Sequence, residues 1–264
     1  MTPWLPDILR NPLAALIGEP CTQTLIDELN LFDPLCLRHA VSKGLGLGIV
    51  LGGCVVKLPQ LAKILSSRSV AGISLSSYVL EILANAITIA YNFRQGYSFT
   101  TYGEALFIGA QNIVIALLIL AFTGRTILGL ATTVSLLVFT YVLFDPGMVG
   151  GSVLAMLYGL TIPLVISSRI PQIYANHKNK STGQLSAFAV FNYFFGTAAR
   201  LFTTLVEVDD SLVLLGAVLA VAANGVLAAQ MLYFWNVSAP QEKYSPDLPL
   251  WMGGSAGPRK PKQV

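Results

Sequence analysis

VVKLPQLAKIL, Val55 to Leu65, places a proline and then a glutamine in the second half of an apolar stretch long enough to cross a bilayer. Proline in a helix interior removes a backbone hydrogen bond and costs about 3 kcal/mol or more. Gln60 adds an amide where lipid offers no partner. SSRIPQIY, Ser167 to Tyr174, repeats the pattern at Pro171 and Gln172. Sliding the chain against itself by 112 positions, the separation of the two prolines, lays KLPQ on RIPQ without a gap and RSVAGIS on KSTGQLS. Lys57 then meets Arg169, Arg68 meets Lys180, Ser74 meets Ser186 and Asn112 meets Asn224. The matches gather at polar positions in an apolar background, where chance agreement is rare.

Outward from these motifs, composition sets the class. Of 264 residues 54% are hydrophobic and 11% charged, with a mean hydropathy of +0.67, against about 25% charged residues in soluble domains. This is the composition of an integral membrane protein, whose first partner is the lipid bilayer. A net charge of +3, with the basic residues in loops and tail, argues against nucleic acid. Two histidines and three cysteines show no metal-ligand spacing, so neither a metal nor another cofactor is expected.

Windows of about 20 apolar residues predict an all-α fold of seven transmembrane helices, near Gly44–Leu65, Ile73–Phe93, Gly103–Phe122, Thr126–Phe144, Gly151–Ala175, Leu185–Val206 and Ser211–Trp235. With the 112-residue offset they fall into an N-terminal segment (1–40), a three-helix repeat (41–123), a linker helix (124–147), a second three-helix repeat (148–236) and a disordered tail (237–264). An odd linker gives the two triplets the same orientation, as parallel repeats about an axis along the membrane normal. Pro59 and Pro171 free the carbonyls of Val55 and Ser167, which Gln60 and Gln172 can help to satisfy. Each motif is then either a hinge, suited to rocking the halves, or a static kink that shapes packing. Gly44, Gly48 and Gly52, with Gly46 and Gly53 nearby, form a small-residue stripe expected to let a neighbouring backbone approach rather than to hold a ligand.

Charge sets the expected polarity. Lys63, Arg68, Arg125, Lys178, Lys180 and the tail lysines fall on one face, whereas most acids, including Asp27, Asp33, Asp145, Glu207 and Asp210, fall on the other. The positive-inside rule therefore places the N-terminus in the lumen and the C-terminus in the cytosol. The sequons at Asn179 and Asn236 should then stay unglycosylated. Cys21 and Cys36 lie on the oxidising side, either bridged or as two free thiols.

With the repeat and both motifs in hand, the chain resembles the PQ-loop superfamily, which includes SWEET-type sugar carriers and lysosomal cystine and cationic amino-acid exporters. Within it, the chain is most similar to the mannose-P-dolichol utilization defect family. The stretches that carry this are SKGLGLGIVLGG before VKLPQ, then GEALF, STGQLSAFAVF running into ARLFTTL, and NGVLAAQMLYFWN, covering roughly Val41 to Asn236. The resemblance implies a non-enzymatic, multi-pass protein of the endoplasmic reticulum. It would be needed for dolichol-phosphate mannose, and dolichol-phosphate glucose, to serve as lumenal donors for N-glycan precursors and GPI anchors. Its implied partners are the dolichol-phosphate-linked sugars and endoplasmic-reticulum glycosyltransferases. Flipping, binding and presenting the lipid-linked sugar all fit. KPKQV at the C-terminus looks like a dilysine retrieval signal.

Polar groups inside apolar helices are the candidate substrate-binding residues: Glu81, Asn85, Gln111, Asn112, Asn192, Arg200 and Asn224, with Pro59, Gln60, Pro171 and Gln172 as the hinge motif. A lipid-linked sugar needs amides for the hexose and a cation for the phosphate, which assigns the phosphodiester to Arg200. The plainer reading has Arg200 snorkel to the interface and Glu81 bond a backbone group or a lysine. Glu104 reads as a solvated acid at a helix start, and Tyr97, Phe99 and Tyr102 as an interfacial aromatic belt. The competing function is a small-solute carrier for a sugar or an amino acid. An intramembrane enzyme lacks the paired carboxylates or metal ligands its chemistry needs.

Overall fold

The computed structural model describes residues 5–70, 73–182 and 187–235, and among these all regular structure is helical. Asn236, Ser186, Leu185 and the predicted 237–264 tail with its dilysine signal lie outside the described residues. The chain opens with α1 (Asp7–Ile17), then α2 (Glu19–Thr22) running into a π turn at Gln23–Asp27. Arg10 holds this unit together by pairing with Glu19 at 2.9 Å and Asp27 at 3.0 Å. A Cys21–Cys36 disulfide ties it to the next helix.

That helix, α3 (Pro34–Val55), starts ten residues before the expected Gly44, inside the segment assigned to the N-terminus. The local chemistry explains it: Asp33 accepts from the Cys36 N–H at 2.8 Å as an N-cap, and Pro34 takes the first turn, where no N–H is needed. There follow α4 (Leu58–Ser67), α5 (Leu75–Arg94), α6 (Phe99–Phe122), α7 (Thr126–Phe144), α8 (Gly151–Asn179), α9 (Ala187–Glu207) and α10 (Ser211–Tyr233). Five are long and apolar enough to cross a membrane: α3 continued by α4, then α6, α7, α8 and α10. The others, α5 and α9, are comparably long but more polar, with Glu81, Asn85, Asn92 and Arg94 on one and Asn192, Arg200 and Glu207 on the other.

Packing is the same in both repeats. In the first, α6 lies between α3 and α5; in the second, α10 lies between α8 and α9. Across the interface α3 packs on α9 and α5 on α8. The first helix of each repeat thus meets the second helix of the other, the pattern of a pseudo-twofold axis along the bundle. Arg68 and Lys180, 112 positions apart, both end their helices in the left-handed conformation, with φ of 49° and 51°. The linker α7 packs on α5 and α6.

The repeats diverge at the two proline motifs. At Pro59 the helix breaks into α3 and α4, with Pro59 in the first turn of α4. At Pro171 α8 runs on unbroken, as it does at Pro163. Among the described residues the motif glutamines make no hydrogen bond that serves the break. Gln111 of α6 serves it, accepting from the Lys57 N–H at 3.1 Å and donating to the Gly53 carbonyl at 2.7 Å. In the second repeat Gln230 of α10 donates to the Ile173 carbonyl at 3.0 Å and accepts from Asn176. An amide from the third helix can reach across; one carried on the kinked helix itself is fixed by that helix's own geometry.

The glycine stripe also differs from expectation. Gly44, Gly48 and Gly52 have nothing within 4 Å of where a Cβ would stand. Gly46 and Gly53, two turns apart, make the close approach: a Cβ there would lie 2.9 Å from Thr100 Cβ and 3.0 Å from Glu104 Cα. This is where α3 presses against α6.

Candidate functional site

The two repeats join at one end of the bundle, the end that carries the disulfide. A shared apolar core of Ala86, Ala90, Tyr91, Leu143, Leu154 and Val213 lies in that half. Toward the other end each repeat has its own core, Ile64, Tyr78, Ile82 and Ile115 in the first and Val190, Leu227, Ala228 and Met231 in the second. Polar contacts follow the same division. Glu207, at the end of α9, accepts from Ser42 at 2.6 Å, Lys43 at 2.6 Å, Ser98 at 2.8 Å and Thr100 at 3.1 Å, with its side chain 4% exposed. Asp210 caps α10 through the Leu212 and Val213 N–H groups while accepting from Tyr91 at 2.6 Å and Tyr97 at 3.1 Å. At the far end Lys57 pairs with Glu81 at 3.0 Å, inside the first repeat.

Asp210 and Tyr97 are electrostatically coupled. Burial pushes the Asp210 carboxyl up, but hydrogen bonds from Tyr91, the two capping N–H groups and Tyr97 outweigh it and hold the carboxyl below its ordinary value. Burial and the bond to Asp210 push the Tyr97 hydroxyl up to about 12. Tyr97 is therefore a specific partner of Asp210 in addition to any place in an aromatic belt.

Beneath this seal lies a cavity of about 210 Å³. Its lining obeys the repeat: Thr88 and Arg200, Asn92 and Thr204, Thr101 and Val213, Glu104 and Gly216, and Ala105 and Ala217 are all pairs 112 positions apart. The cavity therefore straddles the pseudo-twofold axis, the position of substrate sites in repeat-built transporters. Its charge is not symmetric. Arg200 bonds Glu104 at 2.7 Å and the carbonyls of Thr100 and Thr101 at 3.0 and 3.2 Å, whereas the symmetry-related positions hold Thr88 and Gly216. The ion pair thus stands on one side of the axis, with no charged counterpart in the lining on the other. Tyr158, stacked on Tyr91 with centroids 4.4 Å apart, closes the wall.

Of the seven sequence candidates, Arg200 alone lines this cavity. Its partner Glu104 is no solvated helix-start acid, because α6 begins at Phe99 and puts Glu104 inside the second turn. Glu81 pairs with Lys57. Gln111 serves the α3–α4 break. Asn112 is 0% exposed, and among the described residues neither of its amide atoms has a partner, whereas Asn85 is half-buried and faces Gly109 of α6. Asn224 donates to Ala220 within its own helix, and Asn192 is exposed and donates to Phe188. Glu207, Asp210, Asn92 and Tyr158 were missed, the acids because the sequence alone shows only loop acids at helix ends. Their signal was the presence of Lys43 and Ser42 at the same end of the first helix. Among the described residues no three His, Cys, Asp or Glu side chains gather as metal ligands.

The PQ loop repeat family matches residues 41–101 and 153–213, two stretches offset by the same 112 positions. The chain is a multi-pass helical membrane protein that carries two stretches similar to the PQ loop repeat, together somewhat less than half of its length. It is 27% identical over 175 residues to solute carrier family 66 member 3 of Homo sapiens, an alignment covering 66% of this chain and 85% of that protein. No solved structure matches the chain.

Proposed function

We propose that the protein is a non-enzymatic component of the endoplasmic reticulum membrane that lets dolichol-phosphate mannose, and dolichol-phosphate glucose, serve as lumenal donors for N-glycan precursors and GPI anchors. It does so by holding and redistributing the lipid-linked sugar between its repeats. The observation that carries this reading is the cavity on the repeat axis, whose lining includes Thr88, Asn92, Thr101, Thr204 and Tyr158. Hydroxyl and amide groups of this kind match a neutral, hydroxyl-rich hexose. The N-terminus is lumenal and the C-terminus cytosolic in this reading, supported by the charge asymmetry of the loops. The sealed end then faces the lumen. Rocking of the halves would break the Glu207 and Asp210 contacts and open it. Arg200 meets the phosphodiester deep in the bundle when Glu104 lets go of it.

The test is complementation of a cell line defective in lumenal mannosylation, read out by its lipid-linked oligosaccharide profile. The wild-type chain should restore full-length oligosaccharide, and Arg200→Ala, expressed at the same level, should abolish rescue. Unimpaired rescue removes Arg200 from the site.

A second reading, a small-solute carrier, is favoured by the modest size of the cavity and by the relative's description as a solute carrier. Uptake of radiolabelled hexose or amino acid by proteoliposomes, with no change in the oligosaccharide profile of cells lacking the protein, would select it.

A further inference from the structure

The pseudo-twofold axis makes a comparison at the far end of the bundle, away from the seal. Lys57 and Arg169 occupy equivalent places just before the two proline motifs. Each reaches the second helix of its own repeat. Lys57 finds Glu81 there, at 3.0 Å, and lies 5.5 Å from the centre of the Tyr78 ring. Arg169 finds Tyr193, the residue that stands where Glu81 stands in the first repeat, and lies 4.8 Å from the centre of its ring. One repeat thus neutralises its cation with a carboxylate. The other offers a ring face, and among the described residues no carboxylate pairs with Arg169.

A guanidinium held on a ring face keeps its N–H fork free for a planar or tetrahedral anion. Leaving it without a counter-charge at the edge of a membrane is costly unless something anionic completes it. The depth selects the anion. Arg169 lies eighteen residues beyond Gly151 in α8, about 27 Å along the helix, against a hydrocarbon core of about 30 Å. The backbone there is at the edge of the hydrocarbon core, from which a long arginine side chain reaches the headgroup phosphates.

We propose that Arg169, steadied by Tyr193, binds a phosphate group at the end of the bundle away from the seal, and that it is the first docking point for the phosphate of an isoprenoid-linked sugar. The inference rests on the function proposed above and deepens it. Arg200 lies only about 10 Å from the sealed end, so the two arginines are too far apart to grip one phosphate. They are successive stations, one at that end and one inside.

The test uses the full-length chain in phosphatidylcholine nanodiscs and equilibrium binding of radiolabelled citronellyl phosphate, corrected with empty discs. Wild type should bind, and Arg169→Gln should weaken binding at least tenfold. Tyr193→Glu is the sharper variant. It gives Arg169 the partner that Lys57 already has, at a position 52% exposed, so it should keep the wild-type melting temperature and still lose binding by a similar factor. Arg125→Gln, a loop cation, should change nothing. Displacement of the probe by inorganic phosphate at comparable concentration identifies a free-anion site; displacement by unlabelled citronellyl phosphate alone identifies a lipid headgroup site. No binding above empty discs, or wild-type binding by folded Arg169→Gln or Tyr193→Glu, overturns the proposal. Complementation by the wild-type chain is scored separately. If wild type rescues while Tyr193→Glu binds normally, the docking point falls and the function stands; if wild type fails to rescue, the function falls whatever the probe does.

Discussion

Glu207 is the residue on which the joined end of the molecule turns. A carboxylate 4% exposed, with an ammonium and three hydroxyls around it, is stable only while all remain. Truncating one member of a buried pair leaves the other charged and unpaired, at a cost of about 3–5 kcal/mol. Glu207→Ala is therefore expected to lower the melting temperature in detergent by several degrees. Glu207→Gln, which can still accept from the hydroxyls, should cost less. Asp210 and Tyr97 predict how the same end responds to pH. The carboxyl is held below its unfolded value, so its contribution is present above about pH 4 and is lost as pH falls through the folded value. The Tyr97 hydroxyl is raised to about 12, so its contribution is full below about pH 10 and fades as pH rises toward 12. A melting-temperature profile should fall at both extremes, and Tyr97→Phe should flatten the alkaline limb. Arg200 and Glu81 could be singled out from sequence because a charge in an apolar run is costly wherever it points. Their partners could not, since Glu104 and Lys57 are chosen by helix rotation and crossing, which the linear order does not encode.

At the level of single helices, the glycines of α3 make the clearest forecast. Gly53→Ala would drive a methyl to 3.0 Å from the Glu104 backbone, whereas Gly48→Ala meets nothing within 4 Å. The first should destabilise by pushing α6 away beside the Arg200–Glu104 pair. The second should be neutral or stabilising by up to about 1 kcal/mol, from helix propensity. Thermal unfolding of the two variants side by side is the measurement. The contrast also shows the reach of sequence. A four-residue glycine spacing announces that some backbone can approach, but which of several glycine rows does so depends on how far the helix is turned. Here the start of α3 at Pro34 and its junction with α4 turn Gly46 and Gly53 inward. Helix limits set by local chemistry were legible: Thr126–Phe144 is found as expected, and the Asp33–Pro34 start could have been read from its cap. The break at Pro59 and the continuity through Pro171 could not, because identical motifs differ only in what the third helix offers them.

For the whole molecule, the duplication was readable because polar matches at one constant offset survive where apolar ones drift. The register that overlays the prolines also pairs the cavity walls. What sequence did not show is that the shared core and the polar contacts between the halves gather at one end. A cross-link tests whether they must part there. Ser42→Cys with Glu207→Cys, joined under mild oxidation, should hold the sealed end shut and complement less well than the same double variant kept reduced, the comparison that discounts the loss of Glu207 itself. Rescue by the locked protein would show that the seal never opens in use. The linker has a part in this motion. Because α7 packs on α5 and α6, it travels with the first repeat, and only the short run from Asp145 to Gly150 ties that body to the second. Arg94 clasps this run at both ends, donating to the Leu143 carbonyl at 3.1 Å and the Val149 carbonyl at 2.8 Å. The covalent knuckle is thus pinned at the end where the repeats meet. Widening at the distant end leaves the clasp untouched, while parting beside the knuckle has to pull Val149 off the guanidinium, so the two directions of swing cannot be energetically alike.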